Sequence, residues 1–411
     1  MSKSKGSVII VGAGVVGVTS AFELQKRGYD VKLIDRVGPG MMTSKGNAGH
    51  IATELVDPLA TPSTLLSVPR LLFAQNGPLT LRWRYLPKIF PWLVKFLWSA
   101  RPHQVARGQM GLTSLNAIAL PAWLDMAADT GQSHMIRRTG GIETYENPSN
   151  ARSLPSYIEK LQANNIPCEL LTQSELQDRL PGISPKVKAG VYYSATASVS
   201  DPYDLTRGVF DIFMARGGSY EQRNVVTVED GLVRFEDGTI AKADNILVCA
   251  GAWSKKLCRS AGYRVPLETE RGYHLMLEQP SLSLQGPVIS NDRKFILTSM
   301  TGGLRLAGRV EFGGLELPQR DALADDLMLQ ARALFPELSA SGQTRWMGYR
   351  PTLPDSLPVI DKCQRSKGLY FAFGHQHLGL TQSAATARLM GEMIDGEKPA
   401  IDLTPFKITR F

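Results

Sequence analysis

Two histidines stand one residue apart in FGHQHLGLT, residues 373–381, where His375 and His377 flank Gln376 between Gly374 and Gly379. Such a pair can open a metal site, supply a general base, or ride on a loop whose glycines matter more than its imidazoles. A metal needs a third ligand, and no further His, Cys or acid lies nearby in sequence, so no metal is expected. The other chemistry-bearing spacing lies at the opposite end of the chain. Gly12, Gly14 and Gly17 fall in GxGxxG order, and Asp35 follows a little over twenty residues after Gly12. That set suits a nucleotide: glycines for a pyrophosphate, an acid for a ribose.

The elements that must position these residues are legible. Val8–Val11 is a short apolar run, as a buried parallel strand requires. A helix is expected from about Val15 to Lys26, ending at Arg27-Gly28 with a basic last turn and a C-cap glycine. A second apolar strand, Val31–Ile34, delivers Asp35. Gly12 allows the tight turn, Gly14 lets a pyrophosphate approach the backbone, and Gly17 lets helix pack on strand. The helix N-terminus offers free N–H groups and its positive dipole end to the phosphates. Asp35 can accept both ribose hydroxyls, and Val16 and Arg36 are placed in the same cradle.

The motif alone leaves NAD and FAD open, and three further stretches favour FAD. SKGNAGHI, residues 44–51, follows the second strand without another β-α-β repeat, and places Ser44, Asn47, Ala48, Gly49 and His50 at the ligand. Residues 219–254 read as short strands with turns at Asp230-Gly231 and Asp237-Gly238, with Val226 within them. A buried strand, Ile246–Cys249, then runs into Ala250, Gly251 and Trp253. Glycine at the end of such a strand marks close approach by a ligand or another backbone. Finally, LYFAF (369–373) is one more buried strand. GHQHLGL is the loop after it, and a small-residue helix begins at Thr381, a suitable N-cap. Strand, glycine loop and helix N-terminus are thus built twice, and a long, two-ended cofactor explains both cradles. The second would comprise Gly374, His375, Gln376, His377, Leu378, Gly379, Leu380 and Thr381. Either histidine can face the ring or the substrate, or be inert.

Bulk properties bound the rest. A chain of 411 residues, 43% hydrophobic and 20% charged, is long enough for two domains and composed as a folded globular protein. Cys168, Cys249, Cys258 and Cys363 form no short-spaced cluster, which argues against a zinc site or a disulfide framework and fits a reducing compartment. MSKSKGSVIIVGAG passes from a short basic leader into a strand with no signal-peptide region, so a cytoplasmic location is expected.

The motifs GxGxxG with Asp35, GNAG, CAGAWS, RGYHLML, GYRPTLPDSLPVI and GHQHLGLT occur in an order that resembles FAD-dependent D-amino-acid dehydrogenases, within the D-amino-acid oxidase and glycine oxidase superfamily. The resemblance covers essentially the whole chain. It implies an α/β (α+β overall) architecture, a Rossmann-type FAD-binding domain beside an antiparallel-sheet substrate domain. Two positions depart from the pattern: Gln376 stands where D-alanine-type enzymes usually carry glycine, and His50 where they carry glutamine. The looser match is to enzymes of cyclic amino acids such as D-proline or hydroxy-D-proline.

Oxidising an amino acid at its α-carbon requires a held carboxylate, a neutral amine and exclusion of water. Arg350, just before Pro351, is the carboxylate clamp that the resemblance implies, its planar fork suited to both oxygens; a structural pair with Asp355 is the alternative. Tyr273 resembles the family's active-site tyrosine, a second donor to the carboxylate, with a half-buried strand tyrosine as the alternative. His50 is a candidate for the flavin edge or a structural histidine, and Arg305 a further residue near the ring. No separate base is demanded, since the amine can lose its proton before hydride transfer. Oxidation of secondary amines or L-amino acids is the runner-up. From another class comes a nucleotide-binding, membrane-docked subunit without amino-acid chemistry.

The net charge of +8 is localised: between Asp57 and Asp125 there is no acid, and seven Lys or Arg. Within that span, residues 81–101 hold three of the six tryptophans and five cations. Prolines and charges interrupt it too often for a membrane span. It can lie in a membrane interface, beside a quinone pool, or pack over the substrate domain with its cations solvated. No nucleic-acid partner is expected. The FAD-binding domain is expected to comprise residues 1–75, 199–262 and 343–411, and the substrate domain 76–198 and 263–342.

Overall fold

The computed structural model describes residues 4–73 and 77–411. The apolar run at the start forms the strand Ser7–Val11, and everything around the nucleotide cradle is built on it. It pairs in parallel with Asp30–Asp35 on one side and Asn245–Val248 on the other. The full sheet runs in the order Ser219–Gln222, Asp30–Asp35, Ser7–Val11, Asn245–Val248, Leu369–Phe373, Val359–Lys362, with only the last pair antiparallel. Its central strands, Ser7–Val11, Asn245–Val248 and Leu369–Phe373, are buried on both faces, which is why they read as apolar runs. Val8, Ile10, Leu33 and Leu247 face the helices Val15–Lys26 and Gly379–Asp395, through Val18, Phe22, Ala384 and Leu389. Ile9, Val11, Ile34 and Val248 face Val228, Val233 and Phe235 of a three-stranded sheet. The expected turns of that sheet are present, with Gly231 at φ +64° and Gly238 at φ +84°.

A second, larger sheet is mostly antiparallel. It runs from Gly342–Thr352 through Glu268–Glu278, Gly303–Phe312, Phe295–Met300 and Val288–Ser290 to Gly141–Tyr145, Ala189–Tyr193 and Cys168–Thr172, with Leu79–Leu81 added beside Gly303–Phe312. Side chains alternate between faces along each strand. Leu275, Leu277, Leu304, Leu306 and Leu297 thus fall on one face, packed against Leu327, Ala331 and Leu334 of the helix Asp321–Leu334. The other face carries Glu270, His274, Trp346 and Arg350, set by the pairs Glu270↔Arg350 and His274↔Trp346.

Two expected boundaries change. The segment expected to join the nucleotide layers at residue 343 first belongs to the large sheet, because Gly342–Thr352 pairs along its length with Glu268–Glu278; the chain enters the first sheet only at Val359. The helices Pro102–Ala117 and Ala119–Asp129, expected with the substrate domain, place Leu112, Leu115 and Trp123 in the nucleotide core. The expected break at 75/76 lies outside the described residues. Residues 81–101 form a short 3-10 turn and the helix Leu86–Ser99. Among the described residues no helix is long and apolar enough to cross a membrane.

Candidate active site

A cavity of about 300 Å³ opens along the carboxyl ends of the six-stranded sheet. Gly12, Gly14, Val16, Asp35, Arg36, Ser44 and Asn47 line one part of it; Val226, Ala250, Gly251 and Trp253 a second; Gly374, His375, Gln376, Gly379 and Leu380 a third. Two glycine cradles more than three hundred and fifty residues apart in sequence therefore wall one cavity. Arg223, Lys256, Met42 and Pro351 also line it and carry no spacing signal that sequence reading could have used. Gly17, Ala48, Gly49, His50, His377, Leu378 and Thr381 do not line it.

The glycines divide by job. Gly12 takes φ +112°, and a Cβ there would stand 2.4 Å from the Cys249 carbonyl oxygen. At Gly17 it would stand 1.8 Å from the Gly12 carbonyl oxygen, so both glycines serve backbone packing. At Gly14 the nearest protein atom is Ser44 Oγ at 3.4 Å; that face is left open to the cavity. The Ser44 hydroxyl accepts the Val15 N–H at 2.9 Å. Asp35 accepts the N–H groups of Ala13 (2.6 Å) and Val37 (2.9 Å), and burial raises its carboxyl pKa against those bonds. Each carboxylate oxygen keeps a lone pair for a ribose hydroxyl. The Arg36 guanidinium lies 3.8 Å over the Trp253 ring. Open glycine, helix N-terminus and acid at one end, and a second helix start at the other, fit the two ends of FAD.

The second cradle differs from expectation in detail. The helix begins at Gly379 with Leu378 as N-cap and no side-chain cap. Thr381 is therefore inside it. Its hydroxyl accepts the Ala52 N–H at 3.0 Å and faces the His50 carbonyl, tying the 50–52 segment to the helix start. Gln376 sits at φ +49°, the left-handed region that favours glycine, and donates to Thr352 Oγ1 at 2.5 Å. His375 turns inward to Thr386 Oγ1 at 3.0 Å, and burial pushes its pKa down to about 3. His377 faces the other way, near Glu270 and Arg350; burial lowers its pKa and Glu270 opposes the shift. Among the described residues no three His, Cys, Asp or Glu gather as a metal would need.

Arg350 is half-buried and donates to Glu270 Oε1 at 3.1 Å. The alternative pair with Asp355 is absent: Asp355 is held by Arg410 at 2.7 Å and Arg107 at 3.3 Å. Next to the Arg350–Glu270 pair, His274 stacks on Trp346 with centroids 5.0 Å apart and meets the Gly46 carbonyl at 3.1 Å. Burial pushes its pKa down to about 3. Glu270, His274 and Trp346 were missed in the sequence; only the alternation of ETERGYHLML, taken one residue out of phase with Tyr273, could have shown two of them.

Tyr273 lies on the opposite face of that strand. Its hydroxyl donates to Glu311 at 2.8 Å and accepts the Arg320 N–H at 3.2 Å, in a buried network that includes Arg271 and Arg82. The strand's two-residue period turns it away from Arg350, so it is not a partner for a carboxylate held there. Arg305 bonds the Asn47 and Lys45 carbonyls at 2.6 and 3.2 Å and Asp201 at 3.5 Å, bracing the 44–49 loop. The His50 ring points to Glu54, with Nε2 3.5 Å from Oε1; burial pushes its pKa down to about 4 and that of Glu54 up to about 8.

Comparison with known proteins bears on the family and the fold. The family model described as FAD dependent oxidoreductase matches residues 7–393. The chain is 35% identical over 416 aligned residues to a D-amino-acid oxidase of Bradyrhizobium diazoefficiens, covering 98% of each. It is 28% identical to a D-amino acid dehydrogenase of Rhizobium johnstonii, over 98% of this chain and 99% of that one. Among solved structures, glycine oxidase from Geobacillus kaustophilus superposes with a TM-score of 0.75 at 21% identity, covering 100% of both chains. L-proline dehydrogenase from P. horikoshii gives 0.76 at 18% identity, over 99% of this chain and 98% of that one.

Proposed function

Because the chain belongs to the family of FAD-dependent oxidoreductases whose model spans it, we propose that its amino-acid oxidation acts on small D-configured substrates held by Arg350 and Glu270. The observation that carries this is the ion pair itself. A half-buried guanidinium and a buried carboxylate, 3.1 Å apart, present to a ligand the mirror of an α-amino acid's carboxylate and ammonium. Arg350 can grip both carboxylate oxygens with a planar fork. Glu270 faces the amine, and His377, whose pKa burial lowers, stands beside the pair as an acceptor for the amine's proton. FAD, when bound, accepts the hydride that leaves the α-carbon. The substrate loses that hydride and one nitrogen proton to become an imine, which water converts to a 2-oxo acid and ammonia, or which stays cyclic when the amine is in a ring.

D configuration follows the relatives named as D-amino-acid oxidase and dehydrogenase. A cyclic substrate of the D-proline or hydroxy-D-proline type belongs to the same proposal, supported by Gln376, whose bulk replaces a glycine-suited position on the cavity wall. In this reading the six-stranded sheet and its flanking layers bind FAD and the nine-stranded sheet binds substrate. The test is anaerobic bleaching of the visible flavin spectrum by D-proline, hydroxy-D-proline, D-alanine and their L-forms, in wild type and Arg350→Met. Loss of bleaching with the yellow colour retained supports the clamp. Undiminished turnover in the variant removes it.

The helix Leu86–Ser99 favours a further reading. It buries Ile89 and Trp92, the latter against Phe312 at 5.5 Å, yet exposes Phe90, Val94, Leu97 and Trp98 together with Lys88 and Lys95. Trp83, Arg84 and Arg101 extend the exposed patch. We read this as a surface that docks peripherally on the inner face of an anionic membrane, near a quinone acceptor, in an otherwise cytoplasmic protein. Co-sedimentation with anionic but not zwitterionic vesicles, abolished by Phe90→Ser with Trp98→Ser, is expected; binding to neither kind rejects it.

A further inference from the structure

Resting on the amino-acid reading above, we propose that His50, Glu54 and Ser198 form a subsite for a hydrogen-bond-donating group on the substrate beyond its α-carbon. His50 and Ser198 are directly opposed in the antiparallel pair between His50–Ile51 and Ala197–Val199, so their side chains leave on one face. Ile51 leaves on the other and joins the nucleotide core. Glu54 reaches the same place, with Oε1 3.5 Å from His50 Nε2. All three residues are more than nine-tenths buried, and His50 Nε2, Glu54 Oε2 and Ser198 Oγ each lack a hydrogen-bond partner among the described residues.

Buried polar atoms are almost always paired, because an unpaired one carries its full desolvation cost. Three orphans converging on one spot therefore point to a ligand that supplies the missing bonds. Each can accept: the imidazole through a lone pair, the hydroxyl and the carboxyl through oxygen. Among the described residues the surroundings also offer no cation to pair with them. Glu143, close to Glu54, takes its bonds from Tyr193 (2.9 Å) and Asn291 (2.7 Å), and no lysine or arginine pairs with either acid among the described residues. The partner is therefore a donor, a hydroxyl or an ammonium.

The subsite shares a support with the proposed clamp. The 50–52 segment is tied to Thr381 in the first turn of Gly379–Asp395, while His377, just before that helix, faces Glu270 and Arg350. The segment that carries His50 and Glu54 thus meets the same helix start as the proposed zwitterion clamp. A site built to bond such a group discriminates strongly against the analogue lacking it, because the buried groups are then left unpaired.

The test is kcat/KM on the holoenzyme for three matched pairs: hydroxy-D-proline against D-proline, D-serine against D-alanine, and D-lysine against D-norleucine. A preference of tenfold or more for the polar member is expected in the hydroxyl pairs or in the ammonium pair, and which pair shows it identifies the donor. Glu54→Leu combined with Ser198→Ala should bring that ratio to about one, while Glu54→Gln, which keeps an acceptor oxygen, should retain most of it. Flavin absorbance reports folding, and Ser198→Ala alone serves if the double variant loses FAD. Ratios near one in all three wild-type pairs, or a preference that survives the double variant, overturn the subsite. An equal loss on both members of a pair would assign the three atoms to the α-amine and also overturn it. If no D-amino acid bleaches the flavin, the amino-acid reading falls first; bleaching without polar preference removes the subsite alone.

Discussion

The two halves of the GxGxxG motif should fail in different ways when a single methyl group is added. In Gly12→Ala the new Cβ stands 2.4 Å from the Cys249 carbonyl oxygen, 2.6 Å from its carbonyl carbon and 2.9 Å from the Ala250 Cα, at φ +112°. All three neighbours are backbone at the end of a buried strand and cannot swing aside. Overpacking of this kind costs about 1–3 kcal/mol, and the backbone conformation adds about 1–2 kcal/mol for an L-residue. The fold without cofactor should therefore lose roughly 2–5 kcal/mol. Gly14→Ala meets only Ser44 Oγ at 3.4 Å, an ordinary contact, at φ −69°. Its cost to the apoprotein is the exchange of glycine for alanine at a helix N-cap, about 1 kcal/mol or less. The methyl instead projects where a pyrophosphate must approach, so FAD affinity should fall by about 1–3 kcal/mol, roughly 5- to 150-fold. Urea titration of the two apoproteins and fluorescence titration with FAD separate the effects. If Gly14→Ala shifts the apoprotein midpoint as far as Gly12→Ala, the division of labour is wrong. If it binds FAD as wild type does, no phosphate passes that face.

Other outcomes follow from the same geometry. Asp35→Ala should weaken FAD retention by about 1.5–3 kcal/mol, the worth of hydrogen bonds to a charged group, read from the flavin released on dialysis; a fully flavinated variant would count against the ribose assignment. Tyr273→Phe should cost about 1 kcal/mol of stability and change kcat/KM less than twofold, whereas Glu311→Ala, which strands Arg271, should cost about 3–5 kcal/mol in chemical denaturation. A tenfold loss of kcat/KM in Tyr273→Phe would restore the tyrosine to the site. Glu54, with its carboxyl pushed up to about 8 from 4.5, keeps a proton in the folded chain that the unfolded chain releases. Its contribution to stability therefore declines as pH rises from about 4.5 to 8. Denaturation of wild type and Glu54→Gln across that range should diverge toward high pH; parallel curves would show that Glu54 titrates normally.

The nucleotide half of the fold was legible because its signals are local. Strand, glycine turn, helix and acid occupy one continuous run, and the structure gives the helix its expected bounds, Val15–Lys26. The second cradle was legible for the same reason, apart from its first turn, where Thr381 is recruited to hold the 50–52 segment across the core rather than to cap its helix. The substrate half was not, because strand register decides which residue faces where. Tyr273 and His274 are neighbours in sequence, and a two-residue period sends them to opposite faces. Arg350 was singled out by a family resemblance together with its planar fork, but its partner Glu270 lies 80 residues away and no spacing announces it. His50 was singled out by type, while the need of its ring for a partner exists only once Glu54 and Ser198 have folded against it.

The strand Gly342–Thr352 has a consequence for anyone who would recombine this protein. It carries Trp346 and Arg350 as an edge of the large sheet, contributes Pro351 to the wall of the cavity, and leads within a few residues into Val359 of the other sheet. Under the proposed function, specificity and cofactor retention therefore share one uninterrupted ribbon. A chimera that exchanges the large sheet for that of a relative has no neutral cut point between them. Junctions placed before Gly342 or after Lys362 should yield coloured protein, and any junction inside the ribbon a colourless one.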